Sequence, residues 1–257
     1  MTTAVIALVA AGVLLQLTLW FVQLRTRNAA TADVGWTVLV AAGAAVTAAV
    51  VEGDPLRRLL VASLAAVWAL RLGAYLVRDR VLAGAPEDGR YRAMRETWGH
   101  AAARNFLAVY LVQVPVAALF IIPLVAAMRG GAPDAWAAAG IAVWVAAVVG
   151  EWVADRQLER FRADPRHRGA VCDTGLWRYS RHPNYFFEWL HWWAYVLIGH
   201  AAPPTFLGPI VMLVFLFRVT GIPLTERQAL RSRGDAYRAY QRTTSVFFPW
   251  PPRGVVP

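Results

Sequence analysis

Apolar residues form seven long blocks, separated by polar segments. The blocks cover residues 4–24, 34–51, 59–77, 105–128, 135–154, 185–200 and 201–220. A helix needs about 20 mostly apolar residues to cross a bilayer, and the first five blocks are close to this length. The last two are weaker, since one carries Glu188 and His191 and the other opens with two prolines. We expect an all-α polytopic membrane protein with seven transmembrane helices, in which the last two blocks either both cross or form a re-entrant hairpin.

The pattern shows one membrane domain. The first block has no basic segment before it and no small-residue cleavage site after it, so we expect a retained helix and not a signal peptide. The chain has no internal repeat and no low-complexity linker. We therefore expect a single membrane domain over residues 1–257.

The arginines predict the orientation. All 26 basic residues are arginine, against 16 acidic residues, which gives a formal charge of +10. Of these arginines, 21 lie in the odd-numbered connections and the C-terminal tail, and three lie in the even-numbered connections. By the positive-inside rule the N-terminus is outside and the C-terminus is cytoplasmic, as for a multi-pass protein of the inner membrane. The excess also suggests a polyanionic ligand, whereas nucleic acid is not expected because acids alternate with these arginines.

Composition excludes several other classes. With 58% hydrophobic and 16% charged residues, the chain is neither disordered nor an ordinary water-soluble enzyme. Cys172 is the only cysteine and cannot form an internal disulfide. The sequence has no glycine-rich dinucleotide fingerprint, no phosphate-binding P-loop and no histidine spacing typical of a metal site, so no metal is expected.

Five ionisable residues fall inside the apolar blocks, where charge is costly and marks a site or an internal pair. They are Arg71, Glu151, Glu188, His191 and Arg218. One of them alone would fit an interfacial side chain that reaches water. As a group they indicate a cavity that opens to the cytoplasm.

Two polar residues follow the fifth block at helical spacing. Asp155 and Arg162 are seven residues apart, which is two helical turns, so they share a face. A carboxylate and a guanidinium on one face suit a ligand with hydroxyls at one end and phosphate at the other. The alternative is a solvated helix beside the membrane.

Residues 175–195 carry the highest density of polar and aromatic residues. Pro183 can open a helix, which places Asn184, Glu188 and His191 on one face. Arg178, Arg181 and His182 stand just before that N-terminus, a favourable place for an anion. The Asn184 side chain can donate and accept hydrogen bonds, as an amide such as nicotinamide requires.

Here the sequence resembles the steroid 5α-reductase family, especially its bacterial DUF1295-type branch. The resemblance is carried by Asp155…Arg162, by Arg178-Tyr-Ser-Arg-His-Pro-Asn-Tyr-Phe-Phe-Glu188 and by the tail motif Pro223-Leu-Thr-Glu226…Tyr237-Arg-Ala-Tyr240. It covers most of the chain and is strongest over about 150–250. Isoprenylcysteine carboxyl methyltransferases share versions of the same segments.

The resemblance implies seven helices around NADPH, with the NADPH-binding half at approximately 150–257. It implies a reductase of the C4=C5 double bond of 3-oxo-Δ4 steroids or similar lipid enones. The cofactor-binding positions that it implies are Arg71, Arg80, Asp155, Arg162, Arg168, Tyr179, Arg181, His182, Asn184, Glu188, Trp192, Tyr195, Arg218, Glu226 and Tyr240.

The substrate end departs from the family pattern. Helix two lacks the Gln-Glu pair that holds the substrate carbonyl in the animal enzymes. A carboxyl that stays protonated near the membrane, such as Asp33, could donate to the ketone instead, and the Tyr75 hydroxyl is another possible donor. The candidate catalytic residues are thus Asp33, Tyr75 and, beside the nicotinamide, Glu188.

Two other functions stay open at this point. One is a membrane methyltransferase that uses S-adenosylmethionine, a ligand without phosphate that needs fewer arginines. The other is a non-catalytic lipid transporter or structural membrane protein. The expected partners are a lipophilic small molecule and membrane lipid, and we expect a monomer.

Overall fold

The computed structural model describes residues 2–82, 87–219 and 221–254, and every regular element in these ranges is helical. The α-helices are α1 (Thr2–Thr26), α2 (Thr31–Val50), α3 (Pro55–Leu76), α4 (Gly89–Trp98), α5 (Ala102–Met128), α6 (Ala135–Ala163), α7 (Pro183–Ile198), α8 (Leu207–Val214) and α9 (Ile222–Thr243). The π-helical segments Val77–Leu82 and Phe215–Val219 continue α3 and α8.

The described residues contain six helical stretches that are long and apolar enough to cross a membrane. Five contain α1, α2, α3, α5 and α6, which confirms the first five predicted blocks. The sixth is Pro203–Thr243, which includes residues 203–219 of the seventh predicted block. The chain is therefore an integral multi-pass membrane protein.

The sixth predicted block behaves differently. Its helix, α7, has 16 residues, which is shorter than the roughly 20 residues needed for a full crossing. It begins at Pro183, as the missing N–H of proline predicts. The count of seven transmembrane helices stays a prediction.

The chain divides into two compact units. The first comprises Met1–Ala138 and Tyr195–Gly208, and the second comprises Ala139–Ala194 and Pro209–Pro257. In the first unit, α2 packs against α1, α3 and α5. Glycine permits one of these close contacts, since a Cβ on Gly43 would lie 2.1 Å from the Ile121 side chain. Trp68, Phe106, Tyr110 and Phe120 are almost completely buried in this unit.

One end of the first unit is held by a buried arginine. The Arg57 side chain donates to the backbone oxygens of Gly131 at 2.7 Å and of Ile198. Next to it, His200 Nε2 lies 2.8 Å from a carboxylate oxygen of Asp134. A cavity of about 770 Å³ opens at the Val50–Gly53 turn and is lined there also by Arg129 and Gly130. None of the predicted site residues lines this cavity.

In the second unit, the loop after α6 folds back along that helix. The Trp177 Nε1–H donates to the backbone oxygen of Ala154 at 2.9 Å, and the Leu176 N–H donates to Gln157 Oε1 at 2.8 Å. Gly175 has φ of +60°, a conformation that glycine adopts without strain. These contacts place the start of α7 beside the C-terminal part of α6, the end that is predicted to face the cytoplasm.

The C-terminal segment closes the second unit. Ser180 Oγ donates to the backbone oxygen of Phe247 at 2.8 Å, and the Trp250 N–H donates to the backbone oxygen of Tyr179 at 3.0 Å. Phe247 is buried and its ring centroid lies 5.7 Å from that of Trp189. The tail is thus packed against the start of α7.

Candidate functional site

The second unit brings two predicted cofactor residues into contact. Asp155 on α6 is buried, and Asn184 in the first turn of α7 donates from Nδ2 to Asp155 Oδ1 at 3.2 Å. The two helices can approach closely since Gly150 faces the Phe187 ring, whose atoms lie 2.4–2.5 Å from where a Cβ would stand. A carboxylate and an amide side by side offer both donors and acceptors to a bound ligand.

Further along α7, the polar face continues into the apolar interior. Glu188 and His191 are both buried. His191 Nδ1 lies 2.7 Å from the backbone oxygen of Glu188 and 3.8 Å from its carboxylate Oε1. Trp192, the next predicted contact, is 1% exposed. The predicted stripe along one face of α7 is therefore present up to Trp192. Tyr195 belongs to the first unit and is buried there.

A second group of predicted residues forms a closed network around the Glu226 carboxylate. Arg181 donates to both carboxylate oxygens, at 2.7 and 3.2 Å. The carboxylate also accepts from Gln241 Nε2 at 2.7 Å and from the Tyr237 hydroxyl at 3.2 Å. The ring Nε2 of His182 lies 3.3 Å away. Glu226 thus has four side-chain neighbours that can each make a hydrogen bond.

Arg181 and Tyr240 extend this network to the backbone. The remaining guanidinium nitrogen of Arg181, Nη1, donates to the backbone oxygen of Thr244 at 2.7 Å and to that of Gln241 at 3.3 Å. The Tyr240 hydroxyl donates to the backbone oxygens of Trp177 and Ser180. With these partners, Arg181, Glu226 and Tyr240 join the tail to the loop before α7, and their contacts fit a supporting role better than direct contact with a cofactor.

Burial affects the histidine of this network. His182 is 2% exposed and stacks on Tyr185 with 5.4 Å between ring centroids. Burial lowers the pKa of His182 below its usual range, against the opposing effect of Glu226. The ring is therefore neutral at pH 7, and it does not add a positive charge for a phosphate.

The remaining predicted residues of the second unit are exposed on its surface. They are Arg162, Arg168, Tyr179 and Arg218. Among the described residues, neither Arg162 nor Arg168 forms an ion pair. In contrast, the neighbouring Arg166 contacts Asp164 at 2.6 Å. Guanidinium groups without a carboxylate partner are suited to bind a phosphate.

The other predicted residues lie in the first unit, where Asp33 is part of an ionic cluster. Asp33 Oδ1 accepts from the Tyr91 hydroxyl at 2.6 Å, and Oδ2 accepts from Arg90 at 3.0 Å. Arg80 lies 3.6 Å from Oδ2 and pairs more closely, at 2.9 Å, with Asp88. Arg71 and Tyr75 are half-buried on and near the last turn of α3.

These contacts do not fit the predicted role of Asp33 as a neutral carboxyl that donates to a ketone. Both of its oxygens already accept from a phenol or a guanidinium. Burial of Asp88 opposes its charge, but Arg90 and Arg80 outweigh this effect and hold the pKa of Asp88 at about 2. Asp33 and Asp88 together neutralise Arg80 and Arg90, so Arg80 is also engaged within the protein.

Sequence reasoning overlooked two buried glutamines of α1, Gln16 and Gln23, of which Gln16 lies deeper in the helix. Gln16 lies in the middle of α1 and is 0% exposed. A glutamine is not ionisable, so a search for charged residues inside apolar blocks passes over it. A polar side chain in an otherwise apolar helix is the signal that could have found it. No group of three or more His, Cys, Asp or Glu in the described part of the chain could hold a metal ion.

All of these features belong to a multi-pass helical membrane protein that carries polar side chains both at helix ends and inside its apolar helices. Residues 19–244 match the family model described as a protein of unknown function, DUF1295, and the chain belongs to that family. A similar protein is an uncharacterized protein of Schizosaccharomyces pombe, which is 28% identical in an alignment of 262 positions that covers 90% of this chain and 75% of the relative. No solved structure matches the chain.

Proposed function

We propose that this protein is an NADPH-dependent membrane reductase of a conjugated C=C bond in a steroid or similar lipid enone. The observation that supports it most is the contact between Asp155 and Asn184, at the start of the Asn-x-x-x-Glu segment that resembles the steroid 5α-reductase family. Arg162 stands two turns beyond Asp155 on α6. Polar groups for an amide or ribose and a cation for phosphate thus follow one another along α6.

The residues present are compatible with NADPH. Its phosphates need cations that are not already paired, and Arg162 and Arg168 are exposed without an ion pair among the described residues. Its amide and hydroxyl groups need mixed donors and acceptors, which Asp155, Asn184 and Glu188 provide. S-adenosylmethionine would use the same polar groups but has no phosphate for the arginines.

The proposed reaction consumes NADPH, one proton and the enone and yields NADP⁺ and the saturated ketone. When bound, NADPH supplies a hydride to the β-carbon of the enone. In this proposal Asn184 and Glu188 orient the amide end, and Arg162 and Arg168 hold the phosphate end. A hydrogen-bond donor at the ketone oxygen stabilises the negative charge that develops there, and a proton from water reaches the α-carbon.

The proposal includes a topology. We propose that α7 also crosses the membrane, which gives seven crossings, an external N-terminus and a cytoplasmic C-terminus in the inner membrane. The distribution of arginines supports this orientation. Reporter fusions at Gly130 and Pro203 should then report an external location, and one at Arg166 an internal location. An internal report at Pro203 would contradict a crossing by α7.

Binding by purified protein in detergent tests the cofactor. Arg162→Gln and Asn184→Ala should each weaken NADPH binding by roughly tenfold to a hundredfold, because each removes a contact worth about 1.5–3 kcal/mol. Arg166→Gln is the matched control, since this arginine lies four residues away and already pairs with Asp164. It should bind NADPH as tightly as the unchanged protein.

The alternatives give different results in the same experiment. Binding of S-adenosylmethionine in preference to NADPH would favour the methyltransferase. Binding of neither would remove the reductase proposal. Equal binding of NADPH and NADH would show that the arginines do not read the 2′-phosphate.

A further inference from the structure

The Gln16 side chain is buried, and no described residue forms a hydrogen bond with it. It is 0% exposed, and neither Oε1 nor Nε2 has a partner in the described part of the chain. Leaving such a polar group unsatisfied costs about 1–3 kcal/mol, and buried polar groups in proteins are almost always paired. An apolar residue would avoid this cost, so the amide calls for a functional explanation.

The surroundings make room for this amide. Gln16 faces α2 at Gly35, where an added Cβ would lie 2.7 Å from Nε2 and 2.9 Å from Oε1. Thr26 ends α1 ten residues later, so Gln16 lies about 15 Å inside the helix end at 1.5 Å per residue. This depth is within the hydrocarbon region of a membrane.

A second buried polar atom without a described hydrogen-bond partner lies on α2. Trp36, the residue after Gly35, has a buried indole Nε1–H without a partner among the described residues. Its ring makes edge-to-face contacts with Trp68 and Phe120, with centroid distances of 5.5 and 5.2 Å. One donor on α1 and one on α2 are therefore available within an aromatic and apolar part of the first unit.

Gln23 provides an internal contrast. It lies two turns beyond Gln16 on the same face of α1 and is also 0% exposed. Its Nε2, like that of Gln16, has no partner among the described residues, but its Oε1 accepts from Arg95 at 3.2 Å, and Arg95 in turn pairs with Glu87 at 2.7 Å. Gln23 is thus part of the ionic end of the unit, whereas Gln16 is separated from it.

We propose that Gln16 binds the oxygen of a lipophilic ligand, a ketone or hydroxyl on a rigid apolar body, with Trp36 as the second donor. The identity of this ligand as the enone substrate rests on the proposed function. In that reaction the Gln16 amide N–H would take the place predicted for Asp33, whose oxygens are occupied by Tyr91 and Arg90. An amide donates a hydrogen bond without changing its own protonation, so it can stabilise negative charge on the oxygen.

Ligand binding without NADPH tests this site. The probes are testosterone and its 3-deoxy analogue, titrated into the purified protein and followed by tryptophan fluorescence. The unchanged protein should prefer the ketone by roughly tenfold, the effect of a well-placed hydrogen bond of about 1.4 kcal/mol. Gln16→Leu should lose most of this preference and should unfold at the same temperature or a higher one, because it removes an unsatisfied polar group.

Thr18→Val is the matched control, because Thr18 is an exposed polar residue on the same helix, and its hydroxyl donates to the backbone oxygen of Leu14. It should keep the ketone preference. Trp36→Phe supplies a second variant if Gln16→Leu does not fold, and it should reduce the preference without abolishing it. An undiminished preference in both Gln16→Leu and Trp36→Phe would overturn the proposal.

The site and the reaction can fail separately. If ketone preference depends on Gln16 but the protein neither binds NADPH nor reduces the enone, the site stands and the proposed function fails. If enone reduction occurs and Gln16→Leu leaves both KM and kcat unchanged, the function stands and the site fails. A rise in KM or a fall in kcat for the ketone substrate, with NADPH affinity unchanged, supports both.

Discussion

Glu226 and Gln16 are both polar side chains in a mainly apolar protein, but their surroundings are opposite. Glu226 has four neighbours that can hydrogen-bond to its carboxylate, and they come from the loop before α7 and from α9. Gln16 is completely buried, and no described residue bonds to its amide. A polar group whose hydrogen bonds are all made within the protein maintains the fold. A buried polar group without hydrogen-bond partners is available to a ligand.

The largest expected effect on stability follows removal of the hydrogen-bonded Glu226 carboxylate. Glu226→Ala leaves Arg181 half-buried without its counter-ion, and breaking a buried pair costs about 3–5 kcal/mol. Asp235→Ala is the control, because Asp235 is 94% exposed and pairs with Arg238 on the surface; it should change stability by less than about 0.5 kcal/mol. Thermal and denaturant unfolding in detergent measures both. Similar stabilities for the two variants would contradict a supporting role for Glu226.

The two residues also show what could be predicted from sequence. The first five apolar blocks predicted helices because apolar length alone indicates a membrane crossing. The contact of Asp155 with Asn184 was anticipated only as a shared site, since the two are 29 positions apart. The partners of Glu226 lie up to 45 positions away, and no local pattern indicates such a network. The Gln16 amide is buried against Gly35 of α2, and the spacing of residues along the sequence cannot reveal this contact between two helices.

An intermediate effect on stability is expected at the ionic cluster of the first unit, where the carboxylates of Asp33 and Asp88 are paired with Arg80 and Arg90. The folded pKa of Asp88 is about 2, below the ordinary value of 3.8. The charged form is thus stabilised by folding, so its contribution is complete above about pH 4 and is lost as the pH falls through 2. The difference corresponds to about 2 kcal/mol.

Unfolding measured between pH 6 and pH 2 checks this contribution. Asp88→Asn keeps a side-chain acceptor for the Arg90 N–H at the start of α4 but removes the titrating group. The variant should therefore be less stable at pH 6 and should lose less stability on acidification than the unchanged protein. An identical pH dependence in the two proteins would show that Asp88 does not contribute in this way.

The smallest expected effect on stability is at Gly35, beside the Gln16 amide. In Gly35→Ala the new methyl group would lie 2.7 Å from Gln16 Nε2 and 2.7 Å from Leu19 Cδ1. Both atoms are ends of flexible side chains that can move, so the cost should fall to about 1 kcal/mol, the low end for overpacking. Gly131→Ala is the control, since nothing lies within 4 Å of its added Cβ, and it should cost less. Because the methyl group displaces the amide, Gly35→Ala should also reduce the ketone preference attributed to Gln16, while Gly131→Ala should not. A Gly35→Ala protein with unchanged stability and an unchanged preference for the ketone would show that the Gln16 amide does not occupy the space at Gly35. The difference between Gln16 and Glu226 would then rest on the burial of Gln16 alone.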